Sequence, residues 1–209
     1  MNKIKKNIKW IVLIIVCIIF FFLLQKVLSS EIMNFDKFFH KYMVLYLRSD
    51  SLTEVMKIIT WFASSIFLII ITIMTMMFFK NKKQNVRFLF NLGFVVLLNQ
   101  SLKFIIQRER PIGYSLIEEK GYSFPSGHSM ASLAFYGYFI YLIWKSNRSK
   151  RKKVIYTTLL SLLIFSIGIS RIYLGVHYAS DVLAGMCLSL VYLIVYTTIL
   201  NKKDNEKGE

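Results

Sequence analysis

Acidic residues are few in this chain: 11 Asp and Glu stand against 27 Lys and Arg, a formal net charge of +16. Carboxylates this sparse form no cluster for magnesium, which wants several oxygen ligands together. Cysteine is scarcer. Cys17 and Cys187 are far apart and both lie in apolar blocks, which argues against a disulfide or a thiolate metal site and leaves two packing thiols. The only prolines are Pro111 and Pro125, and no Pro/Ser linker or repeat divides the sequence. One domain over residues 1–209 is expected.

Missing too is the polar face that a soluble helix shows every turn. The apolar fraction is 56%, against about 45–50% in soluble proteins. The excess is gathered into blocks of 16–23 residues, long enough to cross a hydrocarbon core about 30 Å thick. The pattern predicts an all-α integral membrane protein. Its six transmembrane helices run near 10–28, 57–79, 88–106, 129–144, 154–173 and 178–200. Trp10 suits the headgroup level. A basic start before an apolar stretch also describes a signal peptide, but Val27-Leu28-Ser29 is a poor cleavage pattern, so an uncleaved helix is expected. Between Glu31 and Glu54, Phe35, Phe38, Phe39, Met43, Leu45 and Tyr46 interleave with Asp36, Lys37, His40 and Lys41. That spacing predicts an amphipathic interfacial helix after the first span.

The positive charge is grouped. Lys3, Lys5, Lys6 and Lys9 precede the first block, and Lys80, Lys82, Lys83 and Arg87 separate the second and third. Lys145, Arg148, Lys150, Arg151, Lys152 and Lys153 separate the fourth and fifth, and Lys202, Lys203 and Lys207 follow the last. These clusters sit at alternate crossings, so they read as the cytoplasmic Lys/Arg bias that orients membrane proteins. A nucleic-acid partner is not expected. Both termini are then cytoplasmic, and residues 29–56, 107–128 and the turn at Gly175 face outward.

The remaining polar residues gather at those outward ends, where ionisable groups are costly and point to function. Lys103 and Arg110 are seven apart, which on one continuous helix puts both cations on one face, two turns apart. Pro111 ends that helix. Alone, the two cations could simply snorkel to the interface. Next, Phe124-Pro125-Ser126-Gly127-His128-Ser129 leads into the fourth span. A turn into a helix presents backbone N–H groups and the positive end of the helix dipole, a site suited to phosphate. Gly127 permits close approach, Ser126 can donate, and His128 titrates near neutrality. A capped helix start with an incidental histidine is the plainer alternative. Third, Ser170-Arg171 is followed by His177 and then by Asp181. At a spacing of four, Asp181 can accept from the His177 imidazole and free the other ring nitrogen as base or nucleophile. Arg171 offers a planar fork for phosphate oxygens. An interfacial ion pair is the plainer alternative here.

Together the three segments resemble the type-2 phosphatidic acid phosphatase superfamily of lipid phosphate phosphatases. Its signature is Lys, six residues, Arg-Pro; then Pro-Ser-Gly-His; then Ser-Arg, five residues, His, three residues, Asp. Here these read Lys103 to Arg110-Pro111, Pro125-Ser126-Gly127-His128, and Ser170-Arg171 to His177 to Asp181, with no departure. The six-span layout resembles the bacterial phosphatidylglycerophosphatase B-like membrane branch. The resemblance implies a metal-free, cofactor-free hydrolase. In it His177 attacks phosphorus, Asp181 orients His177, and His128 protonates the leaving oxygen and then activates water. Lys103, Arg110, Ser126, Gly127 and Arg171 would bind the phosphoryl oxygens.

The expected partner is a membrane lipid on the outer face of the bacterial cytoplasmic membrane. Undecaprenyl diphosphate is the first choice and phosphatidylglycerophosphate the alternative. The segment 29–56 and the loop Ile112–Gly121 are expected to shape the headgroup entrance, with Gly113, Tyr114 and Glu118 as contacts. The related vanadium haloperoxidases are soluble, which the apolar blocks argue against. A non-catalytic anionic-lipid binder or transporter would need Lys103, Arg110 and Arg171, but has no use for the His177–Asp181 pair or His128.

Overall fold

The structure, a computed structural model, describes residues 3–29, 32–78 and 81–206. Lys80, Lys207, Phe79 at the end of the second predicted span, and Glu31 at the start of the interfacial segment lie outside these residues. The regular structure among the described residues is helical, with no strand. The α-helices are α1 (Lys3–Leu28), α2 (Asn34–Lys41), α3 (Asp50–Trp61), α4 (Ser65–Phe78), α5 (Lys82–Ile106), α6 (Gly127–Lys145), α7 (Lys150–Tyr173) and α8 (Ala179–Glu206). A π-helical turn over Tyr42–Tyr46 continues α2.

Among the described residues, four helices are each long and apolar enough to cross a membrane: Asn7–Leu28, Lys82–Ile106, Lys150–Tyr173 and Ala179–Glu206. The predicted second span is instead two helices, α3 and α4, bent by 46°. The sequence at the break explains the bend. Phe62 and Ala63 donate to Ile59 and Thr60 in a tightened last turn, and the Ser64 hydroxyl accepts from the Phe67 amide to start α4. A serine that caps a new helix competes with continuing the old one. Helix α6 is not among the four. It packs against α5, α7 and α8 and buries Ser129, Ala131, Ser132, Ala134 and Gly137. Small residues of this kind let helix backbones approach closely, and a helix wrapped by neighbours does not need an apolar exterior.

The two ends of the bundle differ in chemistry. At one end Asp204 on α8 gathers the basic clusters, pairing with Arg87, with Lys83 at 3.4 Å and with Lys145 at 3.2 Å. Next to it lies an aromatic core in which Phe88 meets Tyr138 edge-on with ring centroids 5.0 Å apart. At the other end are the C-termini of α5 and α7, the N-termini of α6 and α8, and the loop 107–126. The turn between α7 and α8 depends on Gly175, whose φ is +72°. A Cβ there would strike the Tyr114 carbonyl oxygen and lie 2.8 Å from Arg48 Nη2. That same carbonyl accepts from Arg48 at 2.6 Å, and Arg48 also donates to the Tyr173 carbonyl at 3.0 Å. Gly175→Ala combines a left-handed backbone, costing about 1–2 kcal/mol, with a collision against fixed backbone. It is expected to lower the thermal midpoint of the detergent-purified protein by roughly 5 °C. An unchanged midpoint in a thermal melt would contradict this account of the turn.

Candidate active site

Each segment of the signature is held at the site end by its own local structure. Helix α5 carries Lys103 and stops at Ile106, because Gln107 turns into the left-handed region with φ 53° and its amide closes back on the Lys103 carbonyl. The predicted helical face joining Lys103 to Arg110 therefore does not exist: Arg110 lies beyond the helix, in the loop. Pro111 is not what ends α5. The loop is pinned instead by Ser123, whose amide donates to the Arg108 carbonyl at 2.8 Å and whose hydroxyl donates to the Glu109 carbonyl at 2.9 Å. Arg110 still reaches the pocket, donating to the Val176 carbonyl at 2.8 Å.

Ser126 caps α6, accepting from the Ser129 amide at 3.4 Å. Its own amide donates to the Asp181 carbonyl at 3.0 Å, which ties the start of α6 to the start of α8. Gly127 lies where a Cβ would come within 3.0 Å of Asn99 Oδ1, and Asn99 in turn donates to the Pro125 carbonyl at 2.9 Å. Asn99 is a support that no motif in the sequence singles out. His128 follows in the first turn of α6 and faces the same cavity as Lys103, Arg110 and His177.

His177 sits in the short link before α8 and is 2% exposed. Arg110 Nη1 lies 3.3 Å from its Nε2. Arginine has no acceptor, so Nε2 is the unprotonated nitrogen here and Nδ1 carries the hydrogen. Nδ1 faces Asp181 Oδ2 at 3.4 Å, within reach but longer than a well-formed hydrogen bond; such contacts tighten when substrate binds. Asp181 is fully buried and held on both oxygens. Oδ2 accepts from the Tyr178 amide at 2.9 Å, and Oδ1 from Arg108 at 2.6 Å. Burial, followed by the charges of Arg171, Arg110 and Lys103, holds the His177 imidazole well below the ordinary histidine range. A neutral ring with a free Nε2 is what a nucleophile needs at neutral pH.

Arg171, at the end of α7, is 1% exposed. It donates to Thr60 Oγ1 at 2.8 Å and pairs with Glu119, while its Nε has no hydrogen-bond partner among the described residues. A buried donor without an acceptor is costly and suits a site built to receive an anion. Glu119 also lies 3.7 Å from Arg110, so one loop carboxylate is shared by both arginines. Glu118, Gly113 and Tyr114 are the headgroup contacts expected from the sequence. These three are exposed and do not line the cavity, whereas Glu119 does. Nothing in the local pattern separates the two adjacent glutamates.

Lys103, Arg110, Glu119, His128 and His177 form the polar end of a cavity of about 490 Å³, which Ser126, Arg171 and Asp181 do not line. Much of its remaining wall is apolar, with Leu68 and Ile69 from α4 and Leu92, Val95 and Phe104 from α5. Every signature residue is thus brought to one end of the bundle. The arrangement can bind a phosphoryl group between cations, attack it with an imidazole, and lay an apolar chain beside it.

Residues 84–205 match the PAP2 superfamily. The chain is 35% identical over 179 residues to phosphatidylglycerophosphatase B of Bacillus subtilis (strain 168), covering 83% of this chain and 87% of that protein. The crystal structure of a transmembrane PAP2-type phosphatidylglycerolphosphate phosphatase from Bacillus subtilis superposes with a TM-score of 0.78 at 31% identity, over 88% of this chain and 94% of that one. The crystal structure of Aquifex aeolicus LpxE shares the fold, with a TM-score of 0.61 at 22% identity over 76% of this chain and 92% of that one. The chain belongs to the PAP2 superfamily and is a phosphatase acting on lipid phosphate.

Proposed function

We propose that the chain removes the terminal phosphate of phosphatidylglycerophosphate, a step of phospholipid synthesis, through a phosphohistidine on His177. The observation that carries the substrate is the 35% identity to phosphatidylglycerophosphatase B across 83% of the chain. The expectation from sequence put undecaprenyl diphosphate first. The signature reads phosphate and not the lipid, and the relatives favour the glycerophosphate, so the order is reversed. The cavity supports a lipid of either kind, since its polar end continues into an apolar wall.

In the proposed reaction Nε2 of His177 forms a bond to phosphorus as the bond from phosphorus to the lipid oxygen breaks. His128 gives that oxygen its proton, and the lipid leaves as an alcohol. His128 then takes a proton from water, whose oxygen attacks phosphorus. The phosphorus–nitrogen bond breaks, and orthophosphate leaves. Charge on the transferring oxygens is met by Lys103, Arg110, Arg171, Ser126 and the N–H groups around Gly127, which stabilise it as it spreads. With the cations supplied by side chains, no metal or cofactor is assigned a role. The layout proposed for the membrane is six crossings with α2 in the outer interface. Both termini and the Asp204 end are cytoplasmic, and the site faces outward, in line with the Lys/Arg bias.

The test is phosphate release by the purified protein in detergent, comparing phosphatidylglycerophosphate with undecaprenyl diphosphate, with and without excess EDTA. The expected result is a higher kcat/KM for phosphatidylglycerophosphate and full activity in EDTA. A preference for the diphosphate would move the enzyme to carrier-lipid recycling and leave the site assignments standing. Loss of activity that magnesium restores would overturn the metal-free mechanism.

A further inference from the structure

Arg108 has no assigned place in the phosphate site, yet its guanidinium is held on three sides. Nη1 donates to Asp181 Oδ1 at 2.6 Å and to Ser180 Oγ at 2.7 Å. Nη2 donates to Asp36 Oδ2 at 3.0 Å, and the plane lies over the Tyr178 ring at 4.2 Å from its centroid. Asp36 belongs to α2, far away in sequence, and is 1% exposed. It also accepts from the Ser180 amide at 2.8 Å and from the Ser180 hydroxyl at 2.7 Å. A buried carboxylate on a short interfacial helix is costly unless fully paired, and here every partner belongs either to Arg108 or to the residue beside Asp181.

We propose that Arg108 is a positioning residue for phosphate transfer: it locks the Asp181 carboxylate toward His177 and, through Asp36, makes the seating of α2 part of the catalytic geometry. The proposal rests on His177 being the nucleophile. By taking Oδ1, Arg108 leaves Oδ2 as the oxygen that faces His177 Nδ1. Its planar fork spans two carboxylates at once, which the point charge of a lysine does not.

The charges around the His177–Asp181 pair set the expected pH behaviour. Helix α2 brings Asp36. The α5 side brings Lys103, Arg108 and Arg110, with Glu109 beside Tyr178. Helices α6 and α7 bring His128 and Arg171, and the 107–126 loop adds Glu119 against the two arginines. Removing the Arg108 cation makes His177 easier to protonate, so the acid limb of kcat moves to higher pH. Removing the Asp36 anion makes protonation harder, so the limb moves to lower pH.

The experiment measures kcat, KM and the pH profile of kcat for the full-length protein in detergent, for Arg108→Gln, Arg108→Lys and Asp36→Asn. Arg108→Gln is expected to lower kcat about 10- to 100-fold, as loss of an outer partner of an active-site group does, with KM little changed. Its acid limb should rise by on the order of half a pH unit, and that of Asp36→Asn should fall. Arg108→Lys, which keeps the charge and loses the fork, should hold the wild-type limb with an intermediate kcat. Should Arg108→Gln not fold, Arg108→Lys and Asp36→Asn still decide the matter. Equal losses with unmoved limbs would make the cluster purely structural and overturn the proposal, as would wild-type kcat in all three. A wild-type enzyme that forms no phosphohistidine on His177 would instead remove the reading beneath it.

Discussion

Replacing His177 with alanine is expected to reduce turnover by on the order of ten-thousandfold or more, the scale seen when a covalent nucleophile is removed. No other group is placed to take over. His128 is assigned proton transfer, and the arginines and Lys103 have no lone pair to offer while charged. The fold should survive, because the histidine's partners are few: Arg110 at 3.3 Å from Nε2 and Asp181 at 3.4 Å from Nδ1. Arg110 keeps its bond to the Val176 carbonyl, and Asp181 keeps Arg108 and the Tyr178 amide. The check is twofold. Phosphate release is compared at equal protein, and acid-labile, base-stable phosphoprotein is trapped by rapid quench from phosphatidylglycerophosphate labelled in its terminal phosphate. Wild-type protein should carry label on His177, and the alanine variant none. Turnover within tenfold of wild type would remove His177 from the mechanism.

Asp181→Asn should have the second-largest effect, a fall in kcat of roughly a thousand- to ten-thousandfold with KM little altered. The substitution is nearly isosteric, and Arg108 keeps Asp36 as a counter-ion, so no unpaired charge is left buried. What changes is the face shown to the imidazole. With its nitrogen at the Oδ2 position the amide gives up the Tyr178 N–H and donates to Nδ1, which moves the ring proton to Nε2 and blocks attack; with its nitrogen at the Oδ1 position it gives up Arg108 instead. Asp181→Ala is expected to cost stability as well, since Arg108 then loses its 2.6 Å partner and breaking a buried pair is strongly destabilising. Steady-state kinetics beside a thermal melt separate the two variants. An Asn variant with wild-type kcat would show that Asp181 serves folding alone.

Much of the site was legible because its chemistry is local in sequence. His177 and Asp181 are an i,i+4 pair, and Ser126 caps the helix it begins. Arg171 ends α7 in the turn before the Gly175 link. In each case a few neighbouring residues and the geometry of a helix end suffice. The same locality misled at Arg110: a continuous helix to Pro111 was the simplest extension of α5, but Gln107 reverses the backbone four residues earlier. The break between α3 and α4 was likewise hidden inside an apolar run, where Ser64 and Ser65 look like two tolerated polar residues.

The sequence by itself determined the bilayer as solvent, the helical class and the phosphate chemistry, because burial length and short-range spacing are read along the chain. Which carboxylate meets which cation was decided only by the tertiary structure. Arg108 reaches across 72 residues to Asp36, and Arg171 across 52 to Glu119. Such pairs are made by helices brought together to bury surface, and the cost of leaving a buried charge unpaired selects among them; no spacing along the chain records that choice.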